Sequence, residues 1–139
     1  MLVDSHCHIE GPEFDSDRPE MMERAGAAGV GRMLCIGSGD LKRQSMCRAA
    51  ELAERWEQVD TSVGVHPHDA EAYNDAVEAE VLRFARHPKV VGWGEIGLDY
   101  HHGFAQRETQ LRVFRRQLEL AHGRRLPHTL CARARHGRP

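Results

Sequence analysis

Five short strand-like runs recur at a nearly constant interval along this chain of 139 residues, and that interval is the strongest constraint on its fold. The runs, at 2–3, 32–36, 59–65, 90–93 and 127–130, have centres about 28–39 residues apart. A strand with its crossover helix takes about 30 residues, so the spacing predicts repeated β-α units on a parallel sheet. The segments between carry helical spacing: Val77, Val81, Phe84 and Ala85 share one face, as do Leu111, Phe114, Leu118 and Ala121. Asp40 is placed to cap a helix running to about Arg55, with Ala49, Ala50, Ala53 and Trp56 near its buried side. Gly29 and Gly31 bracket the passage from the first helix into the second strand. Four β-α units and a fifth strand result. A complete (β/α)₈ barrel needs about 250 residues, so the expected fold is α/β, a partial TIM-type barrel. Its two sheet edges would stay open unless a helix or a partner covers them, which makes self-association through those edges an expectation.

Composition narrows the function classes. Nineteen basic and 21 acidic side chains leave a net charge of −2, so no strong bulk field draws the chain to nucleic acid or a membrane surface. No run approaches the roughly 20 apolar residues that span a bilayer, and Asp4 and His6 precede any apolar leader. Cys7, Cys35, Cys47 and Cys131 form no CxxC pair, which reads as reduced thiols in a cytoplasmic protein. Residues 120–139 hold no Asp or Glu but five Arg, so 1–133 reads as the barrel half and 134–139 as a ragged basic end, from truncation or a shifted frame.

Three clusters carry chemistry. In Asp4-Ser5-His6-Cys7-His8, the period-two alternation of a strand puts His6 and His8 on one face, where two neutral imidazoles can share a metal ion. In Gly92-Trp93-Gly94-Glu95-Ile96-Gly97-Leu98-Asp99-Tyr100, glycines flank Glu95, which is expected where the fourth strand ends and could bridge metals; Asp99 could ligate or support a ligand. In Gly64-Val65-His66-Pro67-His68-Asp69, His66 and His68 could hydrogen-bond a phosphate or leaving group, while Asp69 could simply cap the next helix. Any one cluster alone has a bland reading as polar residues at a strand end. All three, however, fall at carboxyl ends of successive strands, the face on which β/α enzymes build their sites. His101 and His102 read as solvated loop residues.

These segments, with QRETQLRVFRRQLELA following, resemble the N-terminal half of the TatD-type metal-dependent hydrolases, often described as deoxyribonucleases. The resemblance runs from Met1 to about Arg133. It implies an amidohydrolase-like barrel with one or two divalent ions (Zn, Mn or Mg), held by His6, His8 and Glu95, and places His66 in the substrate cleft. It also marks departures. Relatives carry a metal-ligating His where Cys131 stands, and a thiolate suits zinc but not magnesium or manganese. Relatives take a further His and a catalytic Asp from later strands, beyond the matched segment, so no catalytic residue is assigned here.

The implied activity is hydrolysis of DNA or another phosphodiester, weak or absent in this chain by itself. Two other readings stay open: a catalytically dead barrel piece serving as a binding or assembly module, and an amidohydrolase acting on a small-molecule C–N bond.

Overall fold

The computed structural model describes residues 1–38 and 44–134. Strands β1 (Leu2–Cys7), β2 (Val30–Ile36), β3 (Val59–Val63), β4 (Val90–Asp99) and β5 (His128–Arg133) pair in chain order, every pairing parallel. Helices α1 (Arg18–Ala27), α2 (Ser45–Arg55), α3 (Asp75–Phe84) and α4 (Arg107–Arg124) fill the crossovers. Short 3-10 turns, Pro12–Phe14 and Pro67–Ala72, precede α1 and α3. The chain is therefore a partial TIM-type barrel of four β-α units and a closing strand, as the apolar spacing predicts. Among the described residues each outer strand has a single neighbour, and Leu2, Val3 and Leu130 on those strands are exposed.

Packing between sheet and helices forms two apolar clusters. One joins Met33, Cys35 and Val59 to Met22 of α1 and to Ala49, Leu52 and Ala53 of α2. The other gathers Val63, Val65, Val90, Trp93 and Ile96 against Val81 and Phe84 of α3 and Ala121 of α4. The four cysteines are free thiols. Among the described residues, no helix is long and apolar enough to cross a membrane.

Five local expectations need correction or lie outside the described residues. Asp40 lies outside the described residues, and α2 is described from Ser45. Helix α3 is capped by Asn74, whose side-chain oxygen accepts from the amides of Ala76 and Val77, rather than by Asp69. Helix α4 buries Gln110, Val113, Gln117 and Ala121; Phe114 and Leu118 pack only at the core's margin, and Leu111 lines a surface groove. Finally, β4 does not stop at Trp93 but continues through Asp99. Of the basic end, Arg135 and Arg138 lie outside the described residues.

Candidate metal centre

Strands β1 and β4 are separated by two others in the sheet. At the usual inter-strand spacing of about 4.8 Å, a flat sheet would hold them about 14 Å apart. Curling closes that gap: His6 Nε2 comes to 3.5 Å from Glu95 Oε2. His8, one residue past β1, has its ring centroid 5.2 Å from that of His6. One donor atom from each of His6, His8 and Glu95 lies within 4.8 Å of the others. The three residues singled out in sequence are thus brought together at one rim.

Each is held by neighbours. Nδ1 of His8 lies 3.4 Å from Oε1 of the buried Glu10. That contact raises the His8 pKa above its ordinary value, chiefly through the hydrogen bond, against the opposing effect of burial. A neutral His8 donating Nδ1–H to Glu10 keeps its Nε2 lone pair for a cation, the arrangement usual for metal-bound histidine. Glu10 was not singled out in sequence; its position two residues after His8 is the signal that could have found it.

Glu95 sits inside β4 rather than at its end, which corrects the expectation, and the reason lies in β5. Gly94 and Gly97 have φ of +148° and +144°, and a Cβ on either would run into the carbonyl oxygen of Thr129 or Cys131 respectively. The glycines therefore mark the close approach of a neighbouring strand. A register irregularity between Trp93 and Ile96 accompanies them. The Gly94–Glu95 peptide, which is cis, is gripped at both ends: Ser62 Oγ donates to the Gly94 carbonyl at 2.6 Å, and the Glu95 amide donates to Ser38 Oγ.

His66 lies beside this centre, its Nε2 3.9 Å from Glu95 Oε1. Burial, then the neighbouring His68, pushes its pKa down to about 4, so it is neutral at pH 7. Its Nδ1 accepts the backbone N–H of His68 at 3.2 Å, which leaves the ring proton on Nε2. In that tautomer His66 is a hydrogen-bond donor facing the centre and not a lone-pair ligand. Cys131, on β5, also has its Sγ within reach of Glu95 and His66. Burial, followed by the charge of Glu95, pushes its thiol up to about 11, so only a thiophilic cation able to displace the proton can recruit it.

His68 joins a different group. Its Nε2 lies 2.6 Å from Oδ2 of the fully buried Asp99, and His102 Nδ1 approaches the same oxygen at 2.8 Å. His102 is therefore not a free loop residue: the amides of His101 and His102 both donate to Asp99 Oδ1 at 3.0 Å, folding the loop back onto the carboxylate. Burial raises the Asp99 pKa, but the hydrogen bonds from His68 and from the His102 and His101 segment outweigh it and hold the carboxyl well below its ordinary value. His101 and His102 are both exposed, as expected.

Two buried glutamines of α4 fix these loops. Gln117 Oε1 accepts from the Val65 amide at 2.7 Å and its Nε2 donates to the Val65 carbonyl at 3.0 Å. Gln110 does the same for Asp99, at 2.8 and 3.0 Å. Sequence reasoning missed both; their seven-residue spacing within an otherwise apolar stripe is the available signal.

The chain is 39% identical over 137 residues to a protein named 3′-5′ ssDNA/RNA exonuclease TatD from Cronobacter turicensis, covering 99% of this chain and 51% of that one. It is 36% identical over 127 residues to YabD of Bacillus subtilis, named an uncharacterized metal-dependent hydrolase, covering 91% and 49% respectively. The crystal structure of YJJV, a TatD homolog of Escherichia coli K12, superposes with a TM-score of 0.86 at 32% identity, covering 97% of this chain and 52% of that one. The chain thus spans about half the length of the relatives it matches. A family model described as TatD related DNase matches residues 3–137, and the chain belongs to that family.

Proposed function

We propose that His6, His8 and Glu95 hold a divalent cation in a centre that hydrolyses phosphodiester bonds of nucleic acid. The observation that carries this is the convergence of two imidazoles and one carboxylate, from β1 and β4 with two strands between them, to within 4.8 Å. Imidazole with carboxylate is a donor set suited to zinc or manganese, and Cys131 would add affinity for zinc alone. A cation there supplies Lewis-acid polarisation of a phosphoryl oxygen and a more acidic water. The chain's own residues supply the rest: Ser38 and Ser62 fix the peptide that aims Glu95, Glu10 orients His8, and His66 offers Nε2–H to an anionic oxygen. Single-stranded DNA or RNA is the substrate class that the Cronobacter relative's name supports. Cation binding by these residues is the direct test.

Isothermal titration of the chain with zinc or manganese is expected to show binding tighter than millimolar, with one equivalent lost in His6→Ala and in Glu95→Gln. Unchanged stoichiometry and affinity in both variants would overturn the assignment. The unpaired edges of β1 and β5, with Leu2, Val3 and Leu130 exposed, also support self-association, which light scattering over a concentration series reads directly.

A further inference from the structure

Asp99, His68 and His102 form a second constellation that the centre above does not use. Its acceptor is unusually fixed. Oδ1 of Asp99 is occupied by the amides of His101 and His102, and the Gln110 carboxamide clasps the Asp99 backbone on both sides. The carboxylate is fully buried and cannot turn without breaking these bonds, so Oδ2 alone is presented outward.

Two imidazoles converge on that one oxygen, His68 through Nε2 and His102 through Nδ1. A single imidazole would suffice to satisfy it, and both side chains remain about a third exposed, at 31% and 34%. Packing therefore does not force the second histidine inward. Phe104 stacks on His102, interplanar angle 3°, and meets His68 edge-on, centroids 4.7 Å apart, so one side of the cluster is apolar.

Around a zinc-like ion with ligand bonds of about 2.0–2.2 Å, adjacent donors stand about 3–3.5 Å apart. The observed 2.6 and 2.8 Å separations reach that range if the rings withdraw by a few tenths of an ångström, and the three donor atoms already lie within 4.8 Å of one another. We propose that His68, Asp99 and His102 bind a divalent transition-metal ion at a site of its own, separate from His6, His8 and Glu95. The two-nitrogen, one-oxygen donor set selects zinc, cobalt or nickel over magnesium and calcium. Its exposed side leaves room for water or a ligand atom.

The experiment is titration of the full chain with cobalt(II), followed by visible absorption, and with zinc by calorimetry. The parent is expected to bind two ions and His102→Ala one, with affinity at the lost site weakened more than about tenfold. A His6→Ala/His8→Ala variant is expected to keep one ion, which His102→Ala then abolishes. That background separates the two sites: if the first centre fails, parent and double variant bind the same single ion and His102→Ala still removes it. His102→Gln keeps a hydrogen-bond donor for Asp99 and should restore thermal stability without restoring the ion. The proposal is overturned if His102→Ala leaves the stoichiometry of the parent and of the double variant unchanged, or if the folded double variant binds no cobalt below millimolar concentration.

Discussion

Replacing Gln117 by Leu tests how the loop bearing His66 is held. The native carboxamide, 1% exposed, accepts the Val65 amide at 2.7 Å and donates to the Val65 carbonyl at 3.0 Å, while Trp93 Nε1 adds a long contact at 3.4 Å. Leucine fills nearly the same volume but offers neither a donor nor an acceptor. Both backbone groups of Val65 are then buried without partners. Each such orphan costs about 1–3 kcal/mol, so the pair costs about 2–6 kcal/mol. Relaxation of the loop and the more apolar side chain return part of this, leaving about 2–4 kcal/mol. Against the 5–15 kcal/mol typical of a folded domain, that is a large fraction. Urea unfolding followed by far-ultraviolet circular dichroism reads it as a shift in midpoint at constant slope. Glu119→Gln, two residues along the same helix and 69% exposed, serves as control and should stay within about 0.5 kcal/mol. A Gln117→Leu protein as stable as that control would refute the claim that the amide holds Val65.

Two further outcomes are expected. His66 is buried and neutral, with its pKa near 4 against an ordinary 6.5, so between those values the unfolded chain binds a proton that the native chain refuses. Its contribution to stability is therefore complete above about pH 6.5 and declines as pH falls toward 4, by at most about 1.4 kcal/mol per pH unit. In metal-free protein His66→Gln should flatten this part of the unfolding profile; an identical profile would show that His66 does not titrate in this way. Gly97→Ala places a Cβ against the Cys131 carbonyl at φ +144°, and should cost about 2 kcal/mol or more in thermal or urea unfolding. An alanine variant as stable as the parent would mean that β4 and β5 are not so closely apposed.

Much of the architecture is legible in sequence because it rests on the period of apolar runs. Val59, Val63, Val90 and Trp93 mark strands that pack against the helices, and their spacing leaves room for one crossover each. The His6–His8 pair and Glu95 are legible for a related reason: metal-ligating residue types fall in or just after strands, although Glu95 lies inside its strand and not at the end. What sequence obscures is contact between elements. Gly94 and Gly97 leave room for a close approach, but the sequence does not show that Thr129 and Cys131 are what approaches them. The bonds from His102 to the buried Asp99 are not visible in sequence, because they form only when the exposed loop folds back on the carboxylate. Gln110 and Gln117 look like surface residues on an amphipathic helix, since a buried amide is economical only where a neighbouring backbone lacks partners.

Those two glutamines have a mechanical consequence. Seven residues along an α-helix advance about 10.5 Å and return to nearly the same face, so α4 works as a gauge bar, its two amide hooks setting the interval between the loops after β3 and β4. One hook seats Val65 beside His66, the other seats Asp99 beside His102. Adding or deleting one residue between them would swing one hook by about 100° and put the two histidine-bearing loops out of step, with no atom of either loop altered.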